Sequence, residues 1–446
     1  MLCRACSTAW ARTAARRGLT VNISKTKVVV FNSLLGGAAR DPVFTYDGEQ
    51  LSVEQHFKYL GLVFHRSPNM GAMQEPWARA LLASSLRARR IARSFGVQNN
   101  VQAGLKLFQT FAFPSGMYGC QVWGSRFAHI SRVFTSAVSI RHLCALRRLL
   151  GVSRSSARWA VLAELGVKPY HFYWVKALVR FQEAIVQSNS PLLADVAKAD
   201  AMLARDELPG GQRCSTCWSA ELADALSSIG DRAGRPEQGD SWADRVKQGL
   251  PLGCSPAVLD ATLAAYDALA WSEYAGAQNL LRTAQLPQGV GRKLLTYYAY
   301  FKPAQPDQIP AYLKLDQELH EQIRQLARFR LSCHKLRVEI ARYRRPPAAW
   351  ADRTCTRCSS EHLATLPCSV DDEHHMIFEC ERLEALRNEV VEFTPGTRRF
   401  TPGVRTALNR AQGSVRRFMD CNPPHIVLHF VSRCMSILDA ETPIDS

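Results

Sequence analysis

Three cysteines and one histidine near the C-terminus have the spacing of a metal site. Cys355 and Cys358 form a C-x2-C pair, and His375 and Cys380 follow as H-x4-C after sixteen intervening residues. A C-x2-C pair on a tight turn offers two thiolates to one ion, and a following His and Cys complete a tetrahedron around zinc. Because such closed ligation leaves no open position, we predict a structural zinc knuckle over residues 355–380.

Other cysteines and histidines leave alternatives open. His374 could replace His375 as the ligand, and Cys368 is a further thiol inside the same loop. The other C-x2-C pair, Cys214 and Cys217, has no His and Cys behind it at knuckle distance, so we interpret it as two buried thiols. Fourteen cysteines scattered through a long chain without a secretory hydrophobic segment indicate reduced thiols in an intracellular protein.

Two arginine clusters are the second group of residues with a chemical role. One lies in a single predicted helix, and the other directly precedes the C-x2-C pair. Arginines of this kind contact phosphates and give salt-dependent, largely sequence-independent affinity for RNA or DNA. The predicted nucleic-acid contacts are Lys25, Lys27, Arg87, Arg89, Arg90, Arg93, Arg328, Arg330, Arg342, Arg344 and Arg345. Tyr343 could stack on an unpaired base, whereas for the neighbouring Phe329 and Trp350 we favour core packing.

The positive charge of the chain is concentrated in its N-terminal part. Residues 1–190 contain 25 Lys and Arg against seven Asp and Glu, whereas residues 191–446 contain 31 against 32. A basic region joined to a neutral remainder favours a polyanion as partner, so we predict binding of RNA, DNA or both. The alternative is a well-solvated basic surface without a partner.

Length and composition limit the class of protein. A chain of 446 residues exceeds one compact core, and its 47% hydrophobic and 21% charged residues indicate a folded protein. No apolar run approaches the roughly 18–20 residues that span a bilayer, so we expect a soluble protein without a membrane partner. We expect a nuclear or cytoplasmic location, although an arginine-rich, acid-free stretch over residues 1–40 is also typical of an organellar transit peptide.

Hydrophobic periodicity predicts a mainly α fold with a small α+β N-terminal part. A helix over 1–17 precedes a strand at Lys27–Asn32 and a hairpin of Val43–Tyr46 and Leu51–Val53 around the Asp47-Gly48 turn. Phe57–Phe64 is predicted as another strand. Helices are predicted over 77–95, 101–113, 116–124, 132–150, 156–165, 169–188, 256–285, 311–332, 382–393 and 401–436.

The intervening residues 189–256 are rich in Pro, Gly, Ser and Asp and are predicted to be the most linker-like part of the chain. We therefore predict four parts. The first is a small β-rich domain over 1–66, and the second is a basic helical domain over 67–190. The third is a helical connector over 191–310, and the fourth is a helical domain with the knuckle over 311–446.

Four segments of the chain, in order, resemble the reverse transcriptases of LINE-type (non-LTR) retrotransposons. Gly18–Lys27 (GLTVNISKTK) resembles the palm segment that follows their catalytic aspartates, and Phe57–Gly61 (FKYLG) resembles the strand of the primer-grip hairpin. Met117–Gly124 (MYGCQVWG) is similar to a thumb motif. Arg328–His334 (RFRLSCH), with the cluster at 355–380, is similar to the segment that ends in the terminal zinc knuckle. The resemblance covers residues 1 to about 440.

The resemblance implies a truncated reverse-transcriptase palm, a helical thumb-like domain and a C-terminal domain that holds template RNA or target DNA. In this family two metal ions are held by a Tyr-x-Asp-Asp hairpin and an earlier aspartate, both ahead of the palm segment. Only 17 residues precede Gly18, and none is Asp or Glu. We therefore expect no polymerase activity from this chain alone, with magnesium bound only by a full-length parent enzyme. Lys25 corresponds to a possible proton donor but is interpreted as a surface lysine.

Three functional hypotheses follow from these observations. The first is a nucleic-acid-binding fragment of a retrotransposon reverse transcriptase, inactive alone. The second is a truncated reading frame of a full-length RNA-directed DNA polymerase. The third is a decayed or co-opted helical scaffold without a nucleic-acid role. The sequence does not indicate the oligomeric state.

Overall fold

The fold of the computed structural model is mainly helical. The structure describes residues 13, 16–30, 43–46, 48–66, 70–205, 207–208, 212–213, 217–233, 241–286, 290–305, 308–344, 346–389 and 403–441. The predicted helix over 1–17 and the end of the predicted strand at Phe31 and Asn32 therefore lie outside the described residues, apart from three positions of the helix. Among the described residues, no helix has both the length and the apolar composition needed to cross a bilayer.

The predicted hairpin belongs to a three-stranded sheet in the N-terminal part. Strands β2 (Phe44–Tyr46) and β3 (Glu49–Val53) pair antiparallel, with Tyr46 opposite Glu49, so the hairpin prediction is confirmed. Gly48 has φ +83°, the left-handed conformation that such a two-residue turn requires, while Asp47 lies outside the described residues. Strand β1 (Lys27–Val28) pairs parallel with β3 and completes the sheet.

The prediction of one strand over Phe57–Phe64 is wrong, because the chain reverses in its middle. Strand β4 (His56–Tyr59) pairs antiparallel with β5 (Leu62–His65), and a two-residue turn joins them. Leu60 has φ +47° and Gly61 has φ +84° in that turn. A leucine rarely adopts this conformation, so its side chain gives no turn signal. The Tyr118 hydroxyl donates to the Leu60 carbonyl oxygen at 2.8 Å and holds the turn in place.

Among the described residues between 70 and 233 there are nine α-helices. They are α1 (Met70–Ser94), α2 (Val101–Leu107), α3 (Cys120–Trp123), α4 (Ser125–Ala128), α5 (Ala137–Leu150), α6 (Arg158–Glu164), α7 (Tyr170–Val186), α8 (Pro191–Arg205) and α9 (Trp218–Ala233). Capping residues define helix ends. The Asn100 side chain accepts a hydrogen bond from the Ala103 amide at the start of α2, and Gly151 ends α5 because its backbone adopts a left-handed conformation (φ +69°). A π-helical turn, Phe108–Ala112, continues α2.

The region 189–256 is not an extended linker. Besides α8 and α9 it contains α10 (Trp242–Lys247), while residues 206, 209–211, 214–216 and 234–240 lie outside the described part. The two helices α9 and α10 pack with α7 and α11 (Pro256–Ala277) around a separate apolar cluster that includes Leu178, Leu226 and Leu263. Composition predicted a linker because Pro, Gly and Ser break the local pattern, but the apolar residues between them are enough to build a core.

The C-terminal part is also helical and shares its core with the basic region. It contains α12 (Arg292–Thr296), α13 (His320–Arg330), α14 (Arg337–Ile340), α15 (Ser360–Thr365), α16 (Glu384–Arg387), α17 (Val404–Ala411), α18 (Val415–Cys421) and α19 (Pro424–Glu441). One apolar cluster runs from Leu81 through Trp174 and Phe329 to Leu438. Residues of 67–190 and 311–446 are thus packed together, and the four-part division remains a prediction.

The long helix predicted over 401–436 is divided into three. The chain leaves α17 at Gln412 and Gly413, which both have positive φ, and leaves α18 at Asn422. Pro423 follows, and a proline cannot continue a helix because it lacks the amide donor and its ring clashes with the preceding turn.

A buried histidine makes the core sensitive to acid. His142 in α5 is fully enclosed, stacks on Phe108 at 5.5 Å and meets the edge of Tyr170 at 4.7 Å. Burial lowers the pKa of His142 from 6.5 to about 3, so between these values only the unfolded chain takes up the proton. The contribution of neutral His142 to the free energy of unfolding is therefore complete above pH 6.5, and it is lost as the pH falls towards 3.

We predict that His142→Leu makes the free energy of unfolding less dependent on pH. Between pH 7.5 and 5, denaturant unfolding should show a loss about 2 kcal/mol smaller in the variant than in the unchanged chain, since each pH unit below 6.5 costs up to about 1.4 kcal/mol. His171, whose pKa burial lowers to about 4, remains in both and accounts for residual sensitivity. An identical loss in both chains would contradict this origin.

Candidate metal centre and basic surfaces

The four predicted zinc ligands come together at one point. Cys355 follows Thr354, which pairs with Val370, and Cys358 lies in the turn after it. A single π-helical turn, His375–Glu379, begins with the third ligand and is followed directly by Cys380. The Cys380 amide donates to the His375 carbonyl oxygen at 2.7 Å, which brings these two side chains to the same side.

The ligand atoms have the separations that a tetrahedral zinc ion needs. All four lie within 4.8 Å of one another. The Cys358 and Cys380 sulfurs are 3.8 Å apart, and the Cys358 sulfur is 3.4 Å from His375 Nε2. Bonds of about 2.3 Å to sulfur and 2.0–2.1 Å to nitrogen at tetrahedral angles place such pairs roughly 3.8 and 3.6 Å apart. The cluster can therefore hold a metal ion, and this geometry fits zinc.

Polar neighbours orient the ligands. Glu379 Oε2 lies 3.3 Å from His375 Nδ1, so the carboxylate turns Nε2 towards the centre. Arg282 holds that carboxylate with two bonds, of 3.1 Å from Nη1 and 2.9 Å from Nη2. The Glu381 amide points at the Cys358 sulfur, 3.3 Å away, as backbone amides do towards metal-bound thiolates. These contacts fix the ring orientation and stabilise negative charge on sulfur.

The electrostatics of the centre favour a deprotonated sulfur. The hydrogen bond with Cys355 lowers the pKa of Cys380, and His375 and Arg357 lower it further. The same contact with Cys380, together with burial, raises the pKa of Cys355. Burial alone would lower the pKa of His375, but its bonds to Cys380 and Glu379 raise it to about 10. Zinc would displace protons from this cluster, since metal binding requires deprotonated ligands.

The alternative ligands lie outside the cluster. His374 Nδ1 is 2.8 Å from Arg282 Nη1, and its Nε2 donates to the Gly413 carbonyl oxygen at 3.0 Å. It therefore links the knuckle to the loop between α17 and α18, and His375 is the histidine of the centre. Cys368 does not belong to the four-residue group either. Of the other C-x2-C pair, Cys217 is described and half-buried, and Cys214 lies outside the described residues.

Sequence reasoning missed the charged residues that support the centre. Arg282 comes from the segment after α11, and no local pattern connects it with Asp372 and Glu379, which it contacts at 3.1 and 2.9 Å. Arg357 stands between two ligands and bonds the fully buried Asp371. Its position inside the C-x2-C turn was the one signal available. The adjacent Asp371 and Asp372 thus serve as supports of the knuckle.

The predicted nucleic-acid contacts on α1 are accessible. Arg87, Arg89, Arg90 and Arg93 are exposed, and among the described residues no carboxylate pairs with any of them. We call these four residues the α1 arginine surface. Lys25 is also exposed, while Lys27 donates to Ser52 at 2.9 Å and lies 3.8 Å from Glu54.

The predicted contacts near the knuckle differ in accessibility. Arg344 is exposed, and Arg342 pairs with Glu339 at 3.1 Å. Arg328 is half-buried, and its Nε donates a hydrogen bond to the Gly151 carbonyl oxygen at 3.0 Å. Arg345 lies outside the described residues. Arg342 and Arg344, with the exposed Tyr343 between them, form what we call the knuckle-side surface.

The prediction that Arg330 contacts nucleic acid is wrong, because the structure buries it. Its side chain is 6% exposed and forms two bonds, of 2.6 and 3.1 Å, with the fully buried carboxylate of Glu164. Tyr297 and Tyr312 donate to the same carboxylate at 2.7 and 2.6 Å. Burial alone would lower the pKa of Arg330, but Glu164 raises it, so the guanidinium stays charged. Its partner is 166 residues away, beyond the reach of any local pattern.

The aromatic residues of this region are placed as expected for the core. Phe329 is fully buried, which confirms the packing prediction. Trp350 is half-buried, with the Arg292 guanidinium 4.5 Å above its ring. Burial, together with the nearby charges of Arg353 and Arg342, lowers the pKa of Arg292 to about 10. Positive charge is therefore concentrated beside the knuckle.

No family model, no curated protein and no solved structure matches this chain.

Proposed function

We propose that this chain binds single-stranded RNA or DNA through two basic surfaces, the second of which a structural zinc ion would hold in place. The observation that carries the proposal is the α1 arginine surface, defined above. Four unpaired guanidinium groups along about 10 Å of one helix repel one another, and a polyanion relieves that repulsion. Binding through phosphates is largely independent of base sequence.

The knuckle-side surface supplies a second contact region. Tyr343 is 62% exposed, with Lys293 Nζ 5.8 Å from the centroid of its ring. A base can stack on the exposed part of the ring while the exposed Arg344 reaches a phosphate. Stacking of one unpaired base on an aromatic side chain contributes about 1–3 kcal/mol. This combination favours single strands, whose bases are accessible, over duplexes.

The metal centre supports that surface through a short series of contacts. The Val338 amide donates to the Asp371 carbonyl oxygen at 3.2 Å, and the Arg337 amide donates to Asp371 Oδ2 at 2.9 Å. Asp371 is bonded in turn to Arg357, which lies between two zinc ligands. Because α14 leads directly into the knuckle-side surface, zinc would hold Arg342 and Tyr343 in position.

The resemblance of Gly18–Lys27, Phe57–Gly61 and Met117–Gly124 to LINE-type reverse transcriptases supports the same proposal. In that family the segments that follow the catalytic centre hold the template and primer strands. We propose that this chain performs the corresponding holding role.

We predict that removing the α1 arginine surface weakens strand binding. The quadruple variant Arg87→Gln, Arg89→Gln, Arg90→Gln and Arg93→Gln should bind a labelled 20-nucleotide RNA roughly tenfold or more weakly, measured by fluorescence anisotropy near physiological salt. Lys198→Gln with Arg205→Gln, two exposed charges on α8, is the control and should change affinity less than about twofold. Equal loss per charge in the two variants, or no loss in the quadruple one, would refute the proposal.

A further inference from the structure

A cavity of about 200 Å³ lies between α1, α5, α13 and the turn after α2. Its buried walls include Phe108 and Leu146, and four arginines reach it from three helices: Arg89, Arg93, Arg148 and Arg324. No carboxylate lines it, and none of the four arginines has a carboxylate partner among the described residues. An apolar floor under four unpaired guanidinium groups suits a ligand with a flat apolar part and a strong negative charge.

The fold keeps this arrangement open at two glycines. A side chain at Gly104 would meet Leu149 Cδ1 at 2.5 Å, so glycine lets the Leu149 side chain lie directly against α2. A side chain at Gly151 would meet the Arg324 stem at 3.2 Å, so that stem runs along the bare backbone at the end of α5. Both contacts position cavity residues without supplying a negative charge.

The size and charge of the cavity restrict its ligand. It is smaller than the roughly 300–1,000 Å³ of pockets for drug-sized molecules, so it takes a small planar group such as one base and leaves an attached phosphate at its mouth. Arginines bind phosphate oxygens through paired, directional hydrogen bonds, and a terminal phosphate carries nearly two negative charges where a strand's internal phosphate carries one. Four arginines therefore suit a phosphate monoester better than an internal phosphodiester.

We propose that this cavity binds a nucleoside monophosphate unit, with its base on the apolar floor and its terminal phosphate among the four arginines. The choice of a nucleotide rests on the proposed strand binding, since Arg89 and Arg93 belong to both the cavity and the α1 arginine surface. Two sources offer this chemistry: a free mononucleotide and the 5′-phosphorylated end of a strand.

The test compares two pairs of arginines on the same helix. Arg89→Gln with Arg93→Gln removes two cavity arginines, and Arg87→Gln with Arg90→Gln removes the same charge from positions that do not line the cavity. Titration calorimetry with adenosine 5′-monophosphate should show roughly tenfold or more weakening in the first variant and less than about twofold in the second. Equal weakening in both would overturn the proposal, because general surface charge would then explain the binding.

A second variant separates shape from charge. Ala145→Phe would fill the cavity from α5 while keeping every arginine, so it should also abolish adenosine 5′-monophosphate binding. Unchanged binding in this variant, once circular dichroism shows that it is folded, would overturn the proposal. Adenosine without phosphate should not bind detectably, and binding equal to that of the monophosphate would likewise overturn it.

Oligonucleotides identify the source and separate this proposal from the previous one. A decathymidine that binds more tightly with a 5′-phosphate than without supports the strand end, and binding of the free monophosphate with no such difference supports a mononucleotide. If neither effect is seen while unphosphorylated strands still bind, the cavity proposal alone fails. If strands do not bind at all, the proposed function fails.

Discussion

Cys380→Ser is expected to release the metal and unfold the knuckle, with the largest loss of stability of any single change considered. Cys380 is fully buried at the centre, and zinc binding to such sites supplies about 10–16 kcal/mol. That amount rivals the 5–15 kcal/mol that stabilises a typical whole domain. The purified chain should contain one zinc per molecule by elemental analysis, and the variant should contain much less.

The same loop offers a matched control for that change. Cys368→Ser removes a thiol from the loop but outside the four-residue group, so zinc content and unfolding temperature should stay close to those of the unchanged chain. A strong chelator should lower the unfolding temperature of the unchanged chain and of Cys368→Ser, but not of Cys380→Ser. Full zinc occupancy in Cys380→Ser, or zinc loss in both variants, would contradict the assigned ligands.

Glu164→Gln is expected to destabilise the main core by about 3–5 kcal/mol, because it leaves the Arg330 charge buried without a partner. The carboxylate accepts hydrogen bonds from Arg330, Tyr297 and Tyr312 and has no contact with water. The amide of glutamine keeps one acceptor oxygen for the tyrosines but cannot neutralise the guanidinium. Denaturant unfolding should show the loss as a lower midpoint.

Two further variants serve as controls: one adds a second substitution to Glu164→Gln, and the other breaks an exposed ion pair. Adding Arg330→Met to Glu164→Gln removes the stranded charge, so the double variant should be more stable than Glu164→Gln alone. Arg433→Met breaks an exposed pair with Glu389, 3.2 Å apart, and should cost no more than about 1 kcal/mol. A cost for Glu164→Gln as small as that of the surface pair would contradict the importance assigned to the buried network.

Features that depend on neighbouring residues could be predicted from the sequence. The Asp47-Gly48 turn carries its own conformational signal, and the spacing of Cys355, Cys358, His375 and Cys380 specifies the cluster because the ligands follow one another within 26 residues. Helical periodicity matched the observed helices closely over 77–113 and 156–188, because each apolar stripe is a local property. The helix predicted over 116–124 is a single turn, Cys120–Trp123, because Gly119 has φ +64°.

Features that depend on contacts between residues far apart in the sequence could not be predicted from it. Arg330 looked like a surface cation because its partner, Glu164, belongs to a different helix of the folded core. The support that Arg282 gives to Glu379 and the cavity between four elements are likewise invisible in a linear pattern. The turn at Leu60 was missed for another reason, since contacts such as the Tyr118 hydrogen bond can impose a conformation that the residue itself disfavours.

The dependence of strand affinity on salt tests the central claim most directly. For the intact zinc-loaded chain and an unstructured single-stranded RNA, a plot of log affinity against log salt should be linear with a slope of about −3 or steeper. Each phosphate contact on a single strand contributes about −0.7, and the α1 arginine surface alone offers four. A flat plot, or affinity too weak to measure at low salt, would contradict the account.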